Sequence, residues 1–352
     1  MSCRPRALPV WLCLLQLIFS VVPTFAQSPP ALTLQIITNK ARLTVNGDAG
    51  SPCSLQYATG FVSGTVWISL SNLTLSASAA TVFDPAATIT NQRLYRAAIN
   101  VPSNMLWIPA GSFVMGSPTN EAGRGPNNET QHTVTLTKGF YAGKYLVRQL
   151  DYLSLMNTNP SYFNTNHGFS LDLTRPVERV TWADATNYCA QLTQRERAAG
   201  RIFSNWNYRL PTESEWEYLC RAGTTTQFYY GTNLLSAMAN FDGEYEYHGT
   251  GTVFNASGTF LNRSSSVGSY QPNAFGLYDL AGNLWEWCQD WYANYPTGPV
   301  TDPTGPATSL QRVFRGGAFN SFGSECRSAA RNKYDPNSAF NTVGFRIVLS
   351  GP

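Results

Sequence analysis

Hydrophobic and polar residues alternate along four short runs in the first hundred residues, as they do along half-buried β-strands. The runs cover residues 42–45, 54–57, 67–70 and 94–97, and turn residues such as Asn46 and Gly47 separate them. A period of two at this spacing predicts a small all-β sandwich domain over residues 27–103. This region contains few acids and no histidine, so we expect an accessory domain; a carbohydrate- or partner-binding module is the alternative.

Helical periodicity is confined to two places in the rest of the chain. Thr181 precedes an apolar run with an acid, Asp184, three residues later, and this predicts a helix that begins at residue 182. Thr212 and Glu215 have the T-x-x-E spacing of a capping box, and the helix that follows is predicted to stop at Gly223. Two helices among short strands and long turns, with no βαβ rhythm, predict an irregular α+β domain over residues 104–352.

The first 26 residues have the pattern of an export signal. Arg4 and Arg6 precede an apolar stretch over residues 8–22 that is too short for a membrane-spanning helix, and Ala26 offers a cleavage site before Gln27. Residues 1–26 are therefore predicted to be a signal peptide, which makes the protein secreted, periplasmic or otherwise extracytoplasmic. An uncleaved N-terminal anchor is the alternative. No later stretch is long enough to span a membrane, so we expect no span after the signal is removed.

Charge and metal-binding residue types narrow the function further. Charged residues make up only 13% of the chain, and the net charge of +3 falls to +1 without the signal because two arginines leave with it. A surface so close to neutral gives no footprint for nucleic acid or acidic membranes. The three histidines, His132, His167 and His248, are scattered along the sequence, which argues against a histidine-based metalloenzyme.

A series of ordered motifs over residues 105–350 carries a resemblance to a known family. The motifs include Gly111-Ser112-Phe113-Val114-Met115-Gly116, Arg209-Leu210-Pro211-Thr212-Glu213, Gly282-Asn283-Leu284-Trp285-Glu286-Trp287, Arg315-Gly316-Gly317 and Gly344-Phe345-Arg346. This segment resembles the formylglycine-generating enzyme family, also called the sulfatase-modifying factor family. The resemblance implies a loop-rich α+β fold related to C-type lectins.

Four arginines are unusually dense near the C-terminus of a chain so poor in charge. Each guanidinium carries five donors and can tie loop carbonyls together. We expect these arginines to be mostly structural, with ligand anchoring as the alternative. They are Arg315, Arg327, Arg331 and Arg346.

The resemblance implies a calcium site in a loop that leads into the tryptophan motif. The matching positions are Asp279 and Glu286 by side chain, and Gly282 and Leu284 by main-chain carbonyl. Two carboxylates and main-chain carbonyls in so short a segment suit calcium, which prefers hard oxygen ligands. In the alternative interpretation, Asp279 caps a turn and Glu286 pairs with an arginine.

A second calcium site of the family would begin at Asn240 and Phe241. Its later carboxylate falls near Thr259, where this chain has no acid. This second site therefore has weaker support from the sequence than the first.

Members of the family that produce formylglycine use a pair of their own cysteines, which hold copper and lie shortly after the double glycine. Ser321 occupies the position of the first cysteine, and the shortened segment before Cys326 lacks the second. A hydroxyl cannot replace a thiolate on Cu(I), which prefers soft sulfur. We therefore expect no formylglycine-generating activity, no copper and no catalytic residue of this type.

Five cysteines remain after removal of the signal, and in an exported protein they are disulfide candidates. The resemblance implies a structural bridge between Cys220 and Cys326. Closing this loop of about 106 residues would contribute on the order of 4–5 kcal/mol. Cys189 and Cys288 are then left as a second pair and Cys53 is alone. A redox role for Cys288 with Cys326 is the alternative.

Two functions follow from these observations. The first is a calcium-stabilised, non-catalytic binding protein that holds a peptide, glycan or protein ligand in a groove of its C-terminal domain. The second is a secreted enzyme of the family, either a sulfatase-modifying oxidase or one with a diverged reaction. The intact motif framework favours both, and the missing cysteine pair favours the first.

Overall fold

The computed structural model describes residues 31–37, 40–46, 52–58, 68–74, 79–84, 94–98, 104–125, 128–199, 201–202 and 205–351. The predicted signal peptide over residues 1–26 lies outside this part of the chain. The chain divides into two compact units, Met1–Asn100 and Val101–Pro352. Among the described residues, no helix combines the length and the apolarity that crossing a bilayer requires.

The described part of the first unit consists of β-strands, as the alternating pattern predicts. Two antiparallel three-stranded sheets form, with strand orders β1-β2-β5 and β4-β3-β6. Leu43, Val45 and Leu55 are buried, which fits the inward positions of the alternating runs. The strands are β1 (Ala31–Ile37), β2 (Lys40–Asn46), β3 (Pro52–Ala58), β4 (Ile68–Thr74), β5 (Ala79–Asp84) and β6 (Leu94–Ala98).

The second unit is sheet-rich and loop-rich, which confirms the predicted irregular α+β fold. Among its described residues, two sheets have four strands and two have three, in the orders β11-β20-β10-β7, β18-β17-β15-β19, β12-β13-β14 and β16-β9-β8. The strands are β7 (Met105–Ile108), β8 (Gly111–Met115), β9 (His132–Leu136), β10 (Phe140–Gly143), β11 (Asn207–Arg209), β12 (Asn233–Leu234), β13 (Tyr245–His248), β14 (Thr252–Phe254), β15 (Trp285–Trp291), β16 (Val300–Thr301), β17 (Arg312–Arg315), β18 (Arg331–Tyr334), β19 (Val343–Gly344) and β20 (Val348–Ser350).

Both predicted helices are present, and their N-caps are the predicted threonines. The helix α2 (Trp182–Ala198) begins after Thr181, whose hydroxyl accepts a hydrogen bond from the Asp184 N–H. The helix α3 (Glu213–Arg221) begins after Thr212, which forms the capping box with Glu215. Every residue of α3 is buried, so this helix lies in the core of the unit.

The end of α3 and one further helix differ from the prediction. The chain turns left-handed at Ala222, one residue before the predicted Gly223, which is itself left-handed. A short helix, α1 (Gln149–Met156), is absent from the sequence-based prediction. Its N-cap is Arg148, whose guanidinium pairs with Asp151 in place of the usual hydroxyl or amide cap.

Candidate functional site

The loop between residues 279 and 286 packs directly against the segment that begins at Asn240. Gly282 has a φ of +83°, and a Cβ at this position would lie 2.3 Å from the Asn240 carbonyl oxygen. Only glycine allows this approach. The Asn283 N–H donates to that same carbonyl at 2.6 Å. The structure therefore brings the two predicted calcium-binding segments together.

Asp279 is the less engaged of the two acids in this loop. Its side chain is buried, and Oδ2 accepts a hydrogen bond from the Gly268 N–H at 2.8 Å. Burial raises the pKa of Asp279 to about 6, although the Arg346 charge acts in the opposite direction. Its left-handed backbone, with φ of +60°, turns the chain towards the tryptophan motif. This buried carboxylate would gain from a bound cation.

Glu286 lies at the start of β15 and is fully buried. Both of its carboxylate oxygens accept hydrogen bonds from Arg346, at 2.6 and 2.8 Å. The Trp216 indole N–H donates to one of them at 2.9 Å. The alternative pairing of Glu286 with an arginine is therefore present, and a cation at Glu286 would share this carboxylate with Arg346.

Asn240 presents a buried oxygen that the described residues leave without a hydrogen bond. Its amide nitrogen faces three acceptors, the Arg263 carbonyl at 3.0 Å and the Ser265 and Asn283 side-chain oxygens at 3.3 Å. These contacts fix the orientation of the amide, so the unpaired atom is Oδ1. An orphaned buried oxygen fits a cation or a water molecule.

The remaining ligands of the two predicted sites are main-chain carbonyls, of Gly282 and Leu284 in the first and of Phe241 in the second. Within the described residues, no three side chains from His, Cys, Asp or Glu converge well enough to hold a metal. A site here would therefore depend on main-chain and amide oxygens, which calcium accepts readily.

Ser321 lies in a tight turn beside this loop. Its hydroxyl accepts a hydrogen bond from the Ala318 N–H at 3.2 Å, and its carbonyl accepts one from the Asp242 N–H at 3.0 Å. The side chain is buried. The preceding Gly317 has a φ of +77°, and a Cβ there would meet the Cys326 sulfur at 2.4 Å. The turn is thus held by main-chain contacts on both sides.

The four cysteines of the second unit are buried free thiols: Cys189, Cys220, Cys288 and Cys326. Burial raises the pKa of Cys220 to about 11 and that of Cys326 well above the ordinary thiol value. It acts in the same direction on Cys189 and Cys288. Neither predicted bridge is formed in the structure, and both pairings stay predictions.

The four dense arginines are structural, as predicted. Arg315 pairs with Glu213 and the fully buried Glu217, and Arg331 holds Glu213 at 2.6 Å. Arg327 pairs with both Glu121 and Glu129, and Arg346 holds Glu286. All four guanidinium groups also donate to main-chain carbonyls.

A family model for the sulfatase-modifying factor enzyme 1-like domain matches residues 91–350. The chain belongs to this family. It is 34% identical over 207 residues to the formylglycine-generating enzyme of Streptomyces coelicolor, which covers 55% of this chain and 60% of that protein. It is 30% identical over 247 residues to the chaperone protein LppX of Paenibacillus barcinonensis, with 62% of this chain and 82% of that protein covered. The chain thus spans about three fifths of the length of the Streptomyces enzyme.

Solved structures of similar chains have the same fold. The Treponema denticola variable protein 1 superposes with a TM-score of 0.57 at 26% identity, over 75% of this chain and 98% of that one. PvdO from Pseudomonas aeruginosa gives a TM-score of 0.57 at 28% identity, over 70% and 94% of the two chains. The fold and family membership predicted from the motifs are therefore confirmed.

Two exposed aromatic rings pack on the half-buried Tyr245 next to the Ser321 turn of this sulfatase-modifying factor domain. Phe322 is 44% exposed and its ring centroid lies 4.4 Å from that of Tyr245. Phe254, which is 61% exposed, packs against Tyr245 with the ring centroids 5.5 Å apart. These three residues are called the aromatic patch below.

The motifs did not identify the aromatic patch, because its members come from three separate places in the sequence. Phe322 directly follows Ser321, and this adjacency is the one local signal that could have pointed to it. Tyr245 lies beside the turn because β13 packs against the segment that follows Ser321, and the pairing of β13 with β14 brings Phe254 to Tyr245.

Proposed function

We propose that this protein is an exported, calcium-stabilised binding protein that has lost the formylglycine-generating reaction of its family. The observation that carries the proposal is the Ser321 turn. The family resemblance assigns to Ser321 the position of the first catalytic cysteine, and the buried Ser321 hydroxyl accepts a hydrogen bond from the Ala318 N–H. The four thiols of the second unit are buried and their pKa values are raised, so they are poor sources of the thiolate that copper requires.

The relatives support a binding role. LppX, to which 62% of this chain is similar, is named a chaperone, and a chaperone acts by binding another protein. By the family resemblance, this chain keeps the framework of buried arginines and tryptophans and lacks the thiol pair. A ligand-binding surface needs that framework but does not need the thiols.

Calcium is proposed to stabilise the loops behind the Ser321 turn. Asp279 and Glu286 would supply carboxylate oxygens, and Gly282 and Leu284 main-chain carbonyls. A second ion would use the Asn240 side chain and the Phe241 carbonyl, and its support is the orphaned Asn240 oxygen. The ion would offset the cost of burying Asp279 without a cationic partner of its own.

A direct assay tests the loss of the oxidase reaction. The purified protein is incubated with copper and a peptide that carries the sulfatase cysteine motif, and aldehyde is measured by mass spectrometry. We expect no aldehyde, and Ser321→Cys should stay inactive because the second thiol is still missing. Aldehyde formation by the unmodified protein would refute the proposal.

Ligand binding is tested on peptide and glycan arrays in the presence of calcium. A reproducible hit whose binding falls in Phe322→Ala supports the binding role. Export is tested by sequencing the N-terminus of the protein recovered outside the cytoplasm, which should begin at Gln27.

A further inference from the structure

The strand β14 forms the edge of its sheet. Within the described residues it pairs only with β13, in the strand order β12-β13-β14. Its residues, Thr252 to Phe254, are all exposed. An uncovered edge strand offers unpaired main-chain donors and acceptors.

The hydrogen bonds of the hairpin show which main-chain groups point outwards. His248 and Gly251 exchange both of their N–H to carbonyl bonds, at 2.9 and 3.2 Å, and the Asn255 N–H donates to the Glu244 carbonyl at 2.7 Å. Because bonded positions alternate along an antiparallel strand, Val253 also faces β13. Thr252 and Phe254 therefore direct their N–H and carbonyl groups away from the sheet. Thr252 and Phe254 are two positions apart, which matches the two-residue repeat of an extended peptide.

The aromatic patch lies on one face of the same hairpin. Phe254 and Tyr245 are directly opposite each other across the two strands, and the Phe322 ring packs against Tyr245 at a tilt of 40°. A strand added beside β14 would place alternate side chains next to Phe254. The edge and the patch thus form one continuous surface.

Three acids lie next to members of the aromatic patch along the chain: Asp242 and Glu244 precede Tyr245, and Glu325 follows Phe322. The Glu325 carboxylate accepts a hydrogen bond from the Phe322 N–H at 3.0 Å, and Asp242 accepts one from the Glu244 N–H at 3.2 Å. In the part of the chain that the structure describes, none of the three forms an ion pair. Negative charge beside exposed aromatic rings favours a cationic side chain, which can contact both.

We infer that β14 binds an extended segment of a partner protein that carries Lys or Arg at alternate positions. The segment adds to the sheet at Thr252 and Phe254, and its basic side chains lie over the aromatic patch and beside the acids. This inference rests on the proposed binding function and specifies its partner. The unpaired main-chain groups favour a peptide over a glycan, because a sugar does not present their two-residue repeat.

The test uses a short fluorescein-labelled peptide of alternating Lys and Val. Fluorescence anisotropy should show binding at least about tenfold tighter than that of a matched Glu and Val peptide, a difference of about 1.4 kcal/mol. The same Lys and Val peptide with methylated main-chain nitrogens at alternate residues should bind at least about tenfold more weakly, because it cannot complete the ladder.

Matched variants of the protein separate pairing from charge. Thr252→Pro removes an outward N–H without breaking a bond to β13 and should abolish binding, whereas Thr252→Val should retain it. Glu244→Lys should reduce the preference for the basic peptide. Thermal melting of each variant verifies that the domain remains folded.

The outcomes distinguish this inference from the proposed function. Equal binding of the methylated peptide, equal binding of the acidic and basic peptides, or full binding by a folded Thr252→Pro protein would overturn the inference. Glycan hits alone on the arrays would overturn it too, while leaving the proposed binding function in place. Formation of aldehyde would remove the proposed function itself.

Discussion

Glu178 is a buried carboxyl group whose ionisation should be measurable in the stability of the whole protein. It is fully buried, and Oε1 accepts a hydrogen bond from the Phe163 N–H at 2.9 Å. Its other oxygen has no hydrogen-bond partner among the described residues. Burial raises the pKa of Glu178 from 4.5 to about 7, and main-chain hydrogen bonds from Phe163 and Tyr162, with the charge of Arg179, offset this rise only in part.

The size and sign of the effect follow from this pKa. A difference of about 2.5 pH units corresponds to about 3 kcal/mol. Because folding raises the pKa of Glu178, the contribution of this group to the free energy of unfolding has its full value below about pH 4.5. This contribution is lost as the pH rises through 7. Glu178→Gln is neutral at every pH. The free energy of unfolding of this variant, relative to that of the unmodified protein, should therefore increase by about 3 kcal/mol between pH 4.5 and pH 8.

Urea unfolding followed by tryptophan fluorescence measures the difference at each pH. Glu196→Gln is the matched control of opposite sign, because hydrogen bonds from Arg201 and Arg195 lower the pKa of Glu196. This control should be less stable than the unmodified protein at pH 7, by no more than about 1 kcal/mol, and should converge with it in acid. A difference for Glu178→Gln that stays flat from pH 4.5 to 8 would refute the reasoning.

Three further predictions concern calcium and two arginines. A chelator should lower the melting temperature in calorimetry, and Asp279→Ala should remove this calcium-dependent difference; no shift in the unmodified protein would count against the site. Arg312 lies between two indole rings, at 3.7 and 3.6 Å from their centroids, so Arg312→Ala should cost about 2 kcal/mol in urea unfolding. Arg315→Met leaves buried carboxylates short of a partner and should cost about 3–5 kcal/mol, which Glu217→Gln in the same chain should partly restore.

Elements governed by local chemistry could be predicted from the sequence. Thr181 and Thr212 cap their helices through residues three positions away, so the signal lies within a few letters. The helix α1 has no such signal, because Arg148 replaces the usual cap and pairs with Asp151. A helix of eight residues is also too short for its periodicity to stand out.

Contacts between distant segments could not be predicted in the same way. The sequence left two roles open for Glu286, as a calcium ligand or as the partner of an arginine. In the structure Glu286 pairs with Arg346, which lies sixty positions further along the chain. The orphaned oxygen of Asn240 is equally invisible in the sequence, since it depends on which way three neighbouring acceptors hold the amide. Family resemblance located the loops, whereas packing determined how much of each side chain was left for a ligand.

The arginine–glutamate pairs also limit the order in which this chain can fold. Glu129 and Arg327 are 198 positions apart, and Arg331 follows Glu213 by 118 positions. While the chain emerges from a ribosome or a translocation channel, the earlier carboxylates have no partner and resist burial. The core of the second unit therefore cannot close until its last residues arrive. A chain truncated before Arg327 should stay open and be removed by proteases, so incomplete products would not persist as partly active molecules.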